Sequence, residues 1–256
     1  SNGVACSDTN GPVTSFPSTN VTVNASATWS SWVGEVRACI TVACIRSVVG
    51  TFTAGSGSTQ ATTAVPHVAG NRLVALFRNT TAGTNVMGVS NTAGDTWAFC
   101  TGSRQNTTTH TEIWSTTNAT NGNAADVVTG TLASNDTNRT ITVAEVNGLQ
   151  TGSCETAAIA NCSGCTSLTS ASFSPAAAGN MNLATINDTM GATITAGTNY
   201  VSLSSQVDEQ RTGAPSGSQT ANFTFTSTNA GMSVASFKAN AVGSAGLQVS
   251  SFLVGP

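Results

Sequence analysis

General acid–base chemistry needs a histidine or a pair of carboxylates, and this sequence has two histidines and eleven acidic residues to supply them. His67 follows Pro66 in a segment that reads as loop, and His110 begins a strand in a Thr-rich run. Both read as surface residues. A Ser-His-Asp triad needs a buried, oriented base beside a nucleophile, and no G-x-S-x-G elbow occurs in the chain. Glu112 and Glu145 are the acids centred in predicted strands, so they are the best pair for polysaccharide hydrolysis, which needs carboxylates about 5–10 Å apart. Glu145 shares parity with Ile141 and Val143, which would turn it to a buried face. The competing reading is an edge position or an ion pair with Arg72 or Arg78. The expectation is a protein without a catalytic site.

Metal chemistry has weak candidates. Asp95, in a Gly-containing turn, or the Asp208-Glu209 pair could supply oxygen ligands to a structural calcium. No D-x-D-x-D cluster supports them, and lone turn aspartates usually bond their own backbone. No metal ligand is therefore assigned and no other cofactor is expected. Cys162-Ser163-Gly164-Cys165 has redox spacing, yet nothing around it predicts the helix and βαβ context that activates such a thiol. A structural disulfide is the better reading. Lys238, the single lysine, is a candidate for an isopeptide cross-link assisted by Glu145; the alternative is a solvated lysine at a strand end.

The elements that hold these groups follow from composition. Only 7% of the 256 residues are charged, against about 25% in an average soluble protein. Ser and Thr, 74 residues in all, replace the charges, with 23 Asn and 25 Gly. Hydroxyl and amide side chains disfavour helix interiors, while Thr and Val favour strands, so the chain leans to β. A net charge of −3 and one lysine remove the electrostatic basis for nucleic-acid binding. No run of about 18 apolar residues predicts a membrane-spanning helix, and membrane insertion is not expected. The chain opens without a basic, apolar leader and reads as a mature, secreted form.

Cys6, Cys39, Cys44, Cys100, Cys154, Cys162 and Cys165 have no histidine nearby, which removes the usual zinc patterns and favours disulfides in an oxidising compartment. Sequence cannot choose among the possible pairings of seven cysteines; local closure favours Cys39 with Cys44 and Cys154 with Cys162 or Cys165, and Cys6, near a terminus, is the expected odd thiol. The stretch from Cys154 to Cys165 reads as loop.

Strict alternation from Val21 through Val23, Ala25 and Ala27 to Trp29 predicts a half-buried strand within an N-terminal extension, residues 1–46, that also holds a cysteine-bearing strand. Residues 47–240 read as the main domain. Arg72 to Phe77 is a nearly continuous apolar run and should be central. Further strands are predicted at 86–89, 96–100, 111–114, 127–132, 140–146, 200–203, 221–225 and 232–237, with Ser134-Asn135-Asp136 as a turn. About ten strands and no helix result. Beyond a Gly/Ala hinge, residues 241–256 form a tail with apolar Leu247, Val249, Phe252 and Leu253.

The order Gly70-Asn71-Arg72-Leu73-Val74-Ala75-Leu76, Ser90-Asn91-Thr92-Ala93-Gly94-Asp95-Thr96-Trp97, Val143-Ala144-Glu145-Val146-Asn147-Gly148-Leu149 and Val234-Ala235-Ser236-Phe237-Lys238-Ala239 resembles a jelly-roll-type β-sandwich module of bacterial secreted, surface or phage-particle proteins. The resemblance spans residues 47 to 240 and implies an all-β fold of two antiparallel sheets, here with disulfide staples. It implies architecture rather than one activity.

The expected role is a non-enzymatic structural subunit of an extracellular filament, sheath or particle surface. Copies of the chain would join through the terminal segments Val21–Trp29 and 247–253 by strand addition. Equally, those segments could pair within their own domain. The alternative is a glycan-binding or adhesive module using Trp29, Trp32, Trp97 and Trp114. Ten N-x-S/T sequons, at Asn20, Asn24, Asn79, Asn106, Asn118, Asn135, Asn138, Asn161, Asn187 and Asn222, are glycosylation candidates, although about seven are expected by chance.

Overall fold

The computed structural model describes residues 43–79, 85–106, 109–118, 121–188, 193–203 and 208–240. The terminal contact segments, Trp29, Trp32, Cys6, Cys39, Asn20 and Asn24 lie outside them.

Among the described residues there are fourteen strands and no helix. Three antiparallel sheets form, not the two expected. In the first, β1 (Cys44–Ala61) pairs with β8 (Val128–Asn147), followed by β3 (Arg72–Asn79), β6 (Thr109–Asn118) and β5 (Thr96–Asn106); β4 (Val86–Asn91) also pairs with β8. In the second, β9 (Thr156–Thr169) pairs with β14 (Asn222–Phe237), followed by β10 (Asn180–Asp188), β13 (Asp208–Ala214) and β12 (Val201–Ser202); β11 (Ile194–Ala196) also pairs with β14. The third is a short ribbon of β2 (Val65–His67) and β7 (Asn123–Asp126).

The two large sheets are the same structure built twice. Replacing β1, β3, β4, β5, β6 and β8 by β9 to β14 in chain order reproduces every pairing. Register is preserved as well. Ala75 lies opposite Val143 as Ala184 lies opposite Val234. Val74 lies opposite Ser115 as Leu183 lies opposite Gln210. Each central strand is entered through the same turn, Ala69-Gly70-Asn71 and Ala178-Gly179-Asn180, with φ of 88° and 92° at the glycines. The motifs that resemble one module are thus the echoes of two: Thr142-Val143-Ala144 recurs as Ser233-Val234-Ala235.

Packing explains the apolar run in β3. Leu73, Ala75 and Phe77 enter a core confined to the first half, while Val74 and Leu76 enter a second core shared with Met181, Leu183, Ala235 and Phe237 of the other sheet. A strand buried on both faces loses its alternation. The second half has its own outer core around Ile186, Phe223, Met232 and Val234.

Three loop expectations are overturned, one of them the segment of His67, which is the strand β2. Ser134-Asn135-Asp136 is not a turn but part of the continuous β8, where the pairing with β1 is irregular at Gly57. The Arg139 guanidinium donates to the carbonyls of Gly55, Gly57 and Asp136 there, so the chain bulges instead of reversing. The stretch after Cys154 is the strand β9, held along its length by β14.

Candidate functional site

The expected pairing of Cys154 with Cys162 or Cys165 does not form, while the expected partner of Cys44, Cys39, lies outside the described residues. Cys162 is disulfide-bonded to Cys165 within β9, Cys44 is also disulfide-bonded, and Cys154 instead meets the Cys100 thiol. Cys100 is in β5 and Cys154 precedes β9, so the fold unites residues that local closure would have kept apart. The hydrogen bond from Cys154 holds the Cys100 thiol below its ordinary pKa, with Ser115 and the nearby Arg72 assisting against burial; the same bond pushes Cys154 up. Disulfides are consistent with an oxidising, non-cytoplasmic compartment.

The carboxylates nominated for catalysis do not meet. Glu112 lies opposite Phe77 and Glu145 opposite Leu73 on either side of β3, which separates their backbones by about 16 Å at ordinary strand spacings. Each is buried and bound to protein donors. Glu112 accepts from the Val86 N–H and Trp114 Nε1, both at 3.0 Å. Glu145 accepts from the Val68 N–H at 2.8 Å and Asn71 Nδ2 at 2.7 Å, and so fastens the turn before β3. Asp208 and Glu209 are adjacent in a strand and therefore face opposite ways. Asp208 pairs with Arg78 at 3.6 Å, while Glu209 accepts from the Gly197 N–H at 2.8 Å. They cannot chelate one ion together. Burial pushes the Glu209 carboxyl up to about 8.

Lys238 is exposed just beyond β14, so the solvated reading replaces the cross-link. Asn135 and Asn138 are exposed, but Asn79 is 1% exposed, which removes it as a glycan acceptor because the sugar needs its amide in solvent. Trp97 and Trp114 are half-buried.

Both histidines are buried, at 3% and 2% exposure, which corrects their surface assignment. His67 is part of the one group of metal-ligating side chains found among the described residues. It ends β2; Asp126 ends the paired strand β7, and Asp95 follows the tight turn from β4 into β5. His67 Nδ1 lies 3.3 Å from Asp126 Oδ2 and 3.5 Å from Asp95 Oδ2, and all three side chains are 0% exposed. Asn91 braces the pair, its Nδ2 donating to Asp126 at 2.6 Å and Asp95 at 2.8 Å. The Asn91 amide is oriented by its oxygen, which accepts from the Asp95 N–H and Trp97 Nε1. Asp126 also accepts from Thr92 Oγ1 at 2.7 Å and the Ala93 N–H at 3.0 Å. Burial raises its pKa, but the Thr92, Asn91 and Ala93 hydrogen bonds together with His67 outweigh it, leaving Asp126 below the usual carboxylate value.

The imidazole tautomer follows from its other nitrogen. Nε2 lies 3.2 Å from the Asn71 carbonyl, which can only accept, so Nε2 carries a hydrogen. Nδ1 therefore turns toward two carboxylates with a lone pair unless a proton or a cation sits on it.

Asp95 was legible as an oxygen donor in its turn. His67 and Asp126 were not, because strands of three and four residues leave no periodicity to read. Scans against protein-family models, characterised proteins and solved structures find no match for this chain.

Proposed function

We propose that this chain is a non-enzymatic structural subunit of an extracellular assembly, a filament, sheath or particle surface, built on a jelly-roll-like module used twice. The observation that carries the reading is where the exposed apolar side chains lie. Phe52 is 63% exposed on β1, Met87 68% on β4, Phe99 42% on β5 and Val201 63% on β12, all strands with one paired neighbour in the described sheets; Val68, between β2 and β3, is the other large exposed apolar side chain among the described residues. Edge strands in proteins that remain monomeric are normally blunted by charge, proline or cover. Apolar edges instead favour pairing with another chain. The acidic groups support the same reading from the other side, since Glu112, Glu145 and Glu209 are spent on backbone N–H groups that hold strands together.

Light scattering and negative-stain microscopy of the full chain test this. Ordered polymers are expected, and Phe52→Lys or removal of residues 1–30 should shorten or abolish them. A monomer at all concentrations would refute it.

Adhesion through glycans is the second reading, favoured by one surface feature. Phe99 and Trp114 stack edge to face at 5.4 Å beside an edge strand, a geometry suited to a sugar face. Glycan arrays with wild type and Phe99→Ala separate this role from assembly.

A further inference from the structure

We propose that His67, Asp95 and Asp126 form a buried site for one divalent transition-metal ion, zinc being the best fit. The ligand atoms have the required spacing. Bonds of about 2.0–2.2 Å from a tetrahedral zinc ion place neighbouring ligand atoms roughly 3.4 Å apart. His67 Nδ1 is 3.3 and 3.5 Å from the two carboxylate oxygens, distances too long for good N–H···O hydrogen bonds, and neither contact satisfies Nδ1. Asp95 Oδ1 is likewise buried without a hydrogen-bond partner and can serve as a fourth donor through a chelating carboxylate.

The surroundings are those of a ligand set. A metal-bound imidazole characteristically donates its second N–H to a backbone carbonyl or carboxylate, and His67 Nε2 does so to Asn71. The carboxylates are held from behind by Asn91, Thr92 and Ala93. Charge also balances, because a neutral imidazole and two carboxylates present −2 to a +2 ion. An imidazolium would leave one net negative charge in a fully buried position, which is costly. The nitrogen ligand argues against calcium and magnesium, which take oxygen.

A second, independent argument comes from the repeat. The fold does not need this cluster, since the second half forms the same sheet without it. Ala176 stands five residues before Met181, as His67 stands five before Arg72, and Val201 follows the turn closed by the Tyr200 N–H on the Gly197 carbonyl, as Asp95 follows the turn closed by the Gly94 N–H on the Asn91 carbonyl. The ribbon of β2 and β7, which carries His67 and Asp126, is reduced in the second half to one antiparallel bridge, Phe173 opposite Gln219, with no metal-ligating side chain on it. The three side chains, not the pairing that holds them, set the first half apart, and their chemistry is that of a cation site.

The test uses the full chain, expressed in zinc-supplemented medium, with metal content measured by native mass spectrometry and cobalt substitution followed by visible spectroscopy. One zinc per chain and the intense d–d bands of tetrahedral cobalt are expected. Asp126→Asn, which keeps the shape and the Thr92 and Ala93 contacts, should weaken binding by more than about 100-fold, since even outer-shell partners are worth 10–100-fold. Nitrogen NMR of wild type supplies a readout that does not depend on the variant folding. A His67 Nδ1 resonance in the metal-coordinated range supports the site, whereas a protonated Nδ1 in zinc-saturated protein overturns it. Full zinc content in Asp126→Asn and His67→Ala would also overturn it, by locating the metal elsewhere.

Discussion

Replacing Glu209 with Gln should stabilise the protein, by an amount that grows as pH rises from about 4.5 to 8. The Glu209 side chain is fully buried at the start of β13, and one oxygen accepts from the Gly197 N–H. Burial is the main reason its carboxyl is lifted from 4.5 to about 8, with the Gly197 and Asn222 backbone bonds opposing it. The folded chain therefore retains a proton over this interval that the unfolded chain has released. Stability falls where the native state binds more protons, by about 1.4 kcal/mol per pH unit for a single group. The contribution is fully present below pH 4.5 and lost as pH rises through 8, a total on the order of 5 kcal/mol. Gln cannot ionise but still offers an oxygen to Gly197. Urea unfolding followed by tryptophan fluorescence from pH 4 to 9 measures the difference. Wild type and Glu209→Gln should be nearly equal at pH 4.5, with the variant ahead by several kcal/mol at pH 8.5. A difference that does not change with pH would refute the reasoning, because a packing effect has no reason to track proton binding.

Three other outcomes are expected. Gly197→Ala would set a methyl group 2.1 Å from the Asn222 carbonyl oxygen, so the β11–β14 junction must move and thermal unfolding should report a loss of about 3 kcal/mol or more. Glu145→Ala strips acceptors from Val68 and Asn71 and should cost roughly 3 kcal/mol in chemical denaturation, with faster amide exchange in the turn before β3. Oxidised glutathione should close Cys100 and Cys154: the Cys100 thiolate displaces one glutathione thiolate, and Cys154, on losing its proton, displaces the second from the mixed disulfide. Mass spectrometry should find two hydrogens lost and a 100–154 cross-linked peptide, with a persistent glutathione adduct in Cys154→Ser.

Much of the fold was legible before any coordinates. Thr, Val and Asn in place of charge meant strands, and the run from Arg72 to Phe77 meant a strand covered on both faces, because alternation disappears only when neither side meets water. The duplication also had a trace in the sequence, in Ala-Gly-Asn at 69–71 and 178–180 and in Thr-Val-Ala at 142–144 beside Ser-Val-Ala at 233–235. The connecting segments differ in length between the halves, which hid the trace from a reading along the chain.

What only the tertiary structure decided were the meetings of distant residues. His67 after a proline carries no local sign of burial, and Asp126 looked like any acid in a Gly- and Asn-rich stretch. They meet because β2 pairs with β7 while the β4–β5 turn closes over both. Cys100 finds Cys154 because the linker between the two halves passes beside β5. Periodicity reports which face of an element is dry, a property of neighbouring residues. It carries no information on which elements touch, since that depends on sheet order and on buried polar partners supplied from elsewhere in the chain.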